Sequence, residues 1–153
     1  VPQYIVKEIN ALGGTITNAY GIPKDQLKEV SKLGIAKINV DTDIRLAVTR
    51  NLRELFWYHP ELRDHESIKP IYELLQTKTS DFDPRVFLTP IMDTVMYGVV
   101  PNEDVALIVS AIEKGVKEAV GTLIVDFDSY GKAPLVENVT LDEMAERYRK
   151  AGI

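Results

Sequence analysis

The stretch Gly34-Ile35-Ala36-Lys37-Ile38-Asn39-Val40-Asp41-Thr42-Asp43-Ile44-Arg45-Leu46-Ala47 carries the clearest structural signal in the chain. Residues 35–40 are rich in β-branched side chains and bounded by a glycine and by a polar Asp-Thr-Asp run, which predicts a strand. Apolar residues at helical spacing follow at once and predict a helix that ends before Pro60. This order of strand, polar turn and helix is typical of an α/β barrel or a doubly wound sheet.

The end of this predicted strand is also the strongest candidate for chemistry. Ligands of α/β folds bind at the carboxyl ends of strands, and a helix N-terminus offers free N–H groups to an anion. The residues at this junction, where an anion such as phosphate can bind, are Asn39, Val40, Asp41 and Thr42. Another interpretation stays open, because Asp41 or Asp43 can instead simply cap the helix.

The rest of the chain reads as helical, with no repeat and no clear linker. Thr140 and Glu143 have the spacing of a capping box and predict the start of the last helix. Further helices are predicted over residues 1–12, 23–33, 68–75 with a break at Pro70, 83–97 with a kink at Pro90, and 103–120 with an end near Gly121.

Composition excludes several classes of function. The chain has 153 residues and a net charge of −5, which argues against a nucleic-acid partner. It has no Cys and two His, so thiol catalysis, Cys-ligated metals and a three-His metal site are excluded within it. No apolar run approaches a membrane span. The absence of Cys fits the cytoplasm, and the start at Val1 without an initiator Met indicates a piece of something longer or a processed chain.

Three other sets of polar residues have less specific patterns. His59 and His65 lack the spacing of a helical metal pair, so no metal is assigned to either. Asp126 and Asp128 alternate as in a strand, so a metal or acid–base pair is conceivable, but a solvated loop is the simpler interpretation. Three arginines at positions 45, 50 and 53 follow the phosphate-binding candidates. They are read by default as helix-surface charge, with a phosphate clamp as the alternative.

The run from Gly34 to Ala47 resembles the C-terminal half of the class II, metal-dependent fructose-1,6-bisphosphate aldolases. Neighbouring segments resemble that family in the same order, closely over residues 1–60 and less regularly beyond. They are Val1-Pro2-Gln3 with Gly13-Gly14, Tyr20-Gly21-Ile22-Pro23, His59-Pro60-Glu61, Phe82-Asp83-Pro84-Arg85 and Val139-Thr140-Leu141-Asp142-Glu143.

The resemblance implies a fold and a reaction. Residues 1–60 would supply helix 7, strand 8 and helix 8 of a (β/α)₈ TIM barrel, and residues 61–153 would form a mostly helical extension on the same domain. The reaction would be reversible cleavage of fructose 1,6-bisphosphate to dihydroxyacetone phosphate and glyceraldehyde 3-phosphate. Asn39 would contact the triose carbons, and Asp41 and Thr42 would hold its phosphate.

The resemblance also implies parts that this chain lacks. The zinc ligands and the catalytic Asp would lie upstream of Val1, so the chain alone would be inactive and would need the N-terminal half of the enzyme. A homo-oligomer is expected. Residues 63–80 and 99–120 look like insertions. At 125–131 the chain has aspartates where relatives often place a phosphate-binding Arg. A tagatose-bisphosphate aldolase and a non-catalytic helical partner subunit are the alternatives.

Overall fold

The computed structural model describes residues 1–17, 19–35 and 37–152 and is helical throughout its regular structure. Short 3-10 turns at residues 31–33, 60–64, 89–91 and 133–135 connect some of the helices. The eight α-helices of the described residues are α1 (Gln3–Ala11), α2 (Lys24–Val30), α3 (Thr42–Tyr58), α4 (Lys69–Thr77), α5 (Pro84–Phe87), α6 (Met92–Tyr97), α7 (Glu103–Asp126) and α8 (Leu141–Ala151).

The starts of the helices follow from local sequence. Asn102 caps α7 by accepting a hydrogen bond from the Val105 backbone N–H, and Asp83 caps α5 in the same way. The predicted capping box is confirmed at α8, where the Thr140 side chain and the Glu143 side chain each bind the other residue's backbone N–H. Short polar side chains therefore set where these helices begin.

The core surrounds α3, which contributes to two apolar clusters. One cluster joins α3 to α4, α5 and α7 and has Phe56, Phe87 and Ile108 near its centre. The other joins α3 to α1 and to the end of α7 through Ile9, Leu46 and neighbouring residues. Because α3 lies between the clusters, its start and its end are both held by burial.

Helices α3 and α7 approach each other closely at Gly115. A Cβ atom at this position would lie 2.7 Å from the Val48 Cα and 2.8 Å from the Ala47 carbonyl oxygen. Only glycine allows this backbone-to-backbone contact, so a residue that is unfavourable inside a helix has a packing role here.

A network of charged side chains lies beside this contact. The Arg50 guanidinium pairs with Glu118 of α7, and it lies 3.3 Å from Glu54 and 3.6 Å from Glu8 of α1. The Asn51 amide donates to the same Glu118 carboxylate at 3.0 Å. Helices α1, α3 and α7 are thus joined by ionic contacts as well as by apolar packing.

The strand predicted over residues 35–40 is not formed in the described residues. Ile35 and the segment 37–40 lie outside any helix or strand, and Ala36 lies outside the described residues. A strand exists only when a neighbouring strand accepts its hydrogen bonds, and the described part of the chain provides none. The structure therefore does not confirm the barrel portion of the predicted α/β fold.

Helix predictions hold better, with three differences. Pro70 does not break α4, because it lies in the first turn, where its missing N–H costs nothing. The helix predicted over 83–97 is divided into α5, a 3-10 turn that contains Pro90, and α6. Helix α7 continues past Gly121 and ends at Asp126. In the described residues no helix combines the length and apolar character needed to cross a membrane.

The contact at Gly115 predicts opposite effects for two glycine substitutions in α7. We expect Gly115→Ala to destabilise the protein by about 2 kcal/mol or more, since the new methyl group meets backbone atoms that cannot move aside. Gly121→Ala is the matched control, because a Cβ there has nothing within 4 Å and the helix gains about 0.5–1 kcal/mol. Urea unfolding midpoints measure both changes, and equal effects would contradict the close contact.

Candidate functional site

The four predicted phosphate-binding residues lie in the segment that leads into α3. Asn39 and Asp41 are exposed, whereas Val40 and Thr42 are partly buried. All four line a cavity of about 180 Å³, together with Tyr20, Gly21 and Ile22 from the connector before α2. The loop thus forms one wall of a solvent-accessible depression.

The N-terminus of α3 has backbone donors that the helix itself does not use. The first hydrogen bond of this helix runs from the Arg45 N–H to the Asp41 carbonyl oxygen, at 3.1 Å. The N–H groups of the residues before Arg45 consequently have no partner within the helix. With 17 residues, α3 also has the full dipole of a long helix, which favours an anion at this end.

Asp41 occupies the N-cap position without acting as a side-chain cap. Its carboxylate accepts no hydrogen bond from the first turn of the helix. Instead it pairs with the Arg45 guanidinium through two contacts of 2.7 and 2.5 Å. The capping interpretation is therefore wrong for the Asp41 side chain. The negative charge of Asp41, which would repel a phosphate group, is compensated by Arg45.

Arg45 also connects this loop to a distant part of the sequence. Its Nη1 lies 2.8 Å from the Asp83 carboxylate, which in turn pairs with Arg85 at 3.0 and 2.5 Å. Two carboxylates and two guanidinium groups alternate along this chain of contacts. These four groups together carry no net charge, whereas Asp43 in the first turn of α3 adds a further carboxylate to the same cavity.

The segment 82–85 is held on α3 at a second point. The buried Thr49 hydroxyl donates to the Phe82 carbonyl oxygen at 2.9 Å, and the Phe82 ring packs against the cluster around Ile9. The Asp41–Arg45 pair has the i, i+4 spacing that sequence reasoning can recognise. No sequence signal reveals the pairing of Arg45 with Asp83.

The Asp83 carboxylate has a perturbed titration. The hydrogen bonds from the Arg85 side chain are the main reason that the pKa of Asp83 is lowered. The Arg85 backbone N–H and the charge of Arg45 act in the same direction, whereas partial burial opposes them. The carboxylate therefore stays ionised throughout the range near neutrality.

The other acidic and imidazole side chains have separate partners. Asp126 is buried at the end of α7 near Lys28, whereas Asp128 lies beyond the helix and pairs with Lys132, so the predicted strand-like alternation is wrong. His59 contacts Glu61, and His65 contacts Asp104. Within the described residues, no three His, Cys, Asp or Glu side chains are arranged to hold a metal ion.

The default interpretation of Arg45, Arg50 and Arg53 as helix-surface charge is wrong in most respects. Arg50 is largely buried within the carboxylate network described above. Arg53 is only 3% exposed. Arg50 faces α7 and Arg53 faces α5 rather than solvent, which the alternation of charged and apolar residues did not reveal, whereas Arg45 lies at the surface.

The ion pairs of Asp83 predict a pH-dependent contribution to stability. Because the pKa of Asp83 in the folded state lies below its ordinary value of 3.8, this contribution is present above that pH and is lost as pH falls through the lowered pKa. We expect Asp83→Asn, which retains a good N-cap, to lower the free energy of unfolding by about 1 kcal/mol at pH 7.

The difference between Asp83→Asn and the unsubstituted protein should disappear below the lowered pKa of Asp83, in urea titrations at a series of pH values. Asp64→Asn is the matched control, since Asp64 is 91% exposed and lies 3.9 Å from its partner Lys69. A constant difference at all pH values would show that charge is not the source of the effect.

The sequence of this chain is similar to that of one family of known proteins. The model of the family described as "Fructose-bisphosphate aldolase class-II" matches residues 11–132. A fructose-bisphosphate aldolase of Xanthobacter flavus is 30% identical over 148 residues, covering 97% of this chain and 30% of that protein. One from Thermus caldophilus is 38% identical over 95 residues, covering 62% of this chain and 25% of that protein.

The coverage is uneven between this chain and its relatives. A fructose-bisphosphate aldolase of Rhizobium meliloti is 30% identical over all 153 residues, which correspond to 32% of its own length. The chain thus spans less than a third of the curated relatives it matches. A search of solved structures found no significant match. With a family model that covers most of its length, including the loop at the start of α3, the chain belongs to the class II fructose-bisphosphate aldolase family.

Proposed function

We propose that this chain is part of an enzyme that reversibly cleaves fructose 1,6-bisphosphate into dihydroxyacetone phosphate and glyceraldehyde 3-phosphate, as in glycolysis and gluconeogenesis. The observation that carries the proposal is the phosphate-compatible loop at residues 39–42. It leads into a long helix with unused N–H groups, and its aspartate is neutralised by Arg45. The family supplies the reaction class.

The role proposed for the loop is to bind the phosphate at the triose end of the substrate. The N–H groups at the start of α3 and the Thr42 hydroxyl are donors suited to phosphate oxygens. The exposed amide of Asn39, three residues earlier, can donate to a substrate oxygen next to the phosphate and accept from a hydroxyl. Binding the phosphate at a fixed point would orient the carbon–carbon bond that is cleaved.

A divalent metal such as zinc is proposed to polarise the substrate ketone, which is the chemistry that a metal supplies in this family. The described residues of this chain do not fit a metal site, because they contain no cluster of three ligand side chains. We therefore propose that the ligands and the proton-transferring groups lie in the rest of the enzyme.

The remaining features of the proposal are the fold, the oligomeric state and the location of the complete enzyme. Residues 1–60 are proposed to complete a TIM barrel with an N-terminal half, and residues 61–153 to pack on the same domain. The enzyme is proposed to be a homo-oligomer that acts on sugar bisphosphates and triose phosphates. A location in the reducing cytoplasm is proposed because the chain has no Cys.

The proposed phosphate loop predicts loss of turnover in two variants of the complete enzyme. We expect Asn39→Ala and Thr42→Val each to lower kcat/KM for fructose 1,6-bisphosphate cleavage by about 100-fold, because each removes a donor aimed at the substrate. A coupled assay of triose phosphate formation measures the change. EDTA is expected to abolish the activity of the complete enzyme.

The matched control is Thr77→Val, because the Thr77 hydroxyl is exposed and bonds only to carbonyl oxygens of its own helix. It should leave kcat/KM within about twofold of the original value, as surface substitutions do. Full activity in both loop variants would overturn the proposed role of the loop. Full activity from the 153 residues alone would overturn the proposed division of the site.

A further inference from the structure

Arg53 is a buried cation for which the described residues supply no counter-charge. Its side chain leaves α3 toward the end of α1 and is 3% exposed. Its Nε, Nη1 and Nη2 atoms are closed to solvent and donate to no hydrogen-bond acceptor in residues 1–17, 19–35 and 37–152. The guanidinium carbon lies over the Phe87 ring, 5.9 Å from the ring centre.

An arginine in this setting keeps its charge. Burial lowers the pKa of Arg53 from its ordinary value, but guanidinium groups remain protonated in proteins. A buried charge without hydrogen bonds is strongly unfavourable, so charged groups that are fully buried are normally paired. The neighbouring Arg45 and Arg50 obey this rule through two and three carboxylates respectively. Arg53 is the exception on this helix.

A cavity of about 150 Å³ lies beside Arg53, between the end of α1, α3 and α4, and a second arginine lines it. The Nε of Arg63 donates to the Phe56 carbonyl oxygen at 2.9 Å, and its guanidinium carbon lies 5.3 Å from the centre of the Tyr72 ring. These contacts fix the guanidinium and leave its two Nη groups for another acceptor. Gln76, which is exposed, adds an amide donor to the same wall.

The cavity has two cations and no acidic side chain among the described residues that line it. Neither Arg53 nor Arg63 forms an ion pair with the carboxylates of the described chain, although the chain is acidic overall. A site of this size and charge is suited to one tetrahedral or planar oxyanion.

We propose that the cavity lined by Arg53, Arg63 and Gln76 binds a small oxyanion of the phosphate class. The Nη groups of the partly exposed Arg63 donate to it directly. Arg53 lines the cavity with its nitrogen atoms closed to solvent, so it contributes a positive charge that acts at short range through a poorly polarisable interior. The cavity is separate from the loop at 39–42, because Arg53 follows Thr42 by eleven positions in the helix, a rise of about 16 Å. The proposal does not depend on the proposed function.

Trp57 provides a local readout, because it lines this cavity and is the single Trp of the chain. The experiment titrates the complete protein with inorganic phosphate at constant ionic strength, with chloride as the reference, and follows Trp fluorescence. The Trp57→Phe variant defines the part of the signal that comes from the cavity. We expect a saturable change that depends on Trp57.

Arg53→Met and Arg63→Met should each weaken this phosphate affinity at least tenfold. Arg149→Met on α8, whose side chain is 72% exposed, is the matched control and should leave the affinity unchanged. Thr42→Val should also leave it unchanged, which separates this site from the substrate loop. Without phosphate, Arg53→Met should raise the thermal midpoint, because it removes a buried charge that has no partner.

Three results would overturn the proposal. The first is the absence of a saturable Trp57-dependent signal, and the second is unchanged affinity in both the Arg53 and the Arg63 variants. The third is a lowered thermal midpoint or failed folding of Arg53→Met without phosphate, which would show that another part of the complete protein supplies an acidic or carbonyl partner to Arg53.

Discussion

The close approach of α3 and α7 at Gly115 is the contact on which the other features of the structure depend. With no side chain at this position, the two backbones come near enough for Glu118, one turn further along α7, to reach both Arg50 and Asn51. The same approach buries Val48 and Ile108 in one cluster and Leu46 and Ala119 in the other. A wider separation would expose the ion pairs to water and open both clusters together.

The three arginines of α3 show how position along one helix decides the state of a side chain. Arg45, in the first turn, lies at the surface and links two aspartates, so it fixes the loop before the helix. Arg50, in the middle, is enclosed by carboxylates from three helices and holds them together. Arg53, one turn later, faces the end of α1 and the Phe87 ring, and no carboxylate of the described residues pairs with it. Three arginines of one helix therefore differ in their contacts. Arg45 links two aspartates, Arg50 joins three glutamates, and Arg53 has no partner among the described residues.

Sequence reasoning recovered what depends on local chemistry. The capping box of α8 and the apolar stripe of α7 each carry their signal within a few residues, and the structure contains both helices. The strand at 35–40 could not be decided locally, since strands exist through partners that this chain does not contain in its described residues. The Arg45–Asp83 pair joins residues 38 positions apart, and the burial of Arg53 depends on a neighbour from α5.

The segment 63–80, which the family resemblance marks as an insertion, is part of the core rather than an attachment to it. Ile68, Ile71 and Leu75 are fully or almost fully buried in the cluster that contains Phe56 and Phe87.

The Thr79 carbonyl oxygen also accepts the Thr15 N–H at 2.8 Å, so the end of this segment is tied to the connector after α1. The same segment supplies Arg63, Tyr72 and Gln76 to the cavity beside Arg53, whereas the loop at 39–42 receives nothing from it. Arg53, which has no ion-pair partner among the described residues, is thus enclosed in part by this segment, since both line the same cavity.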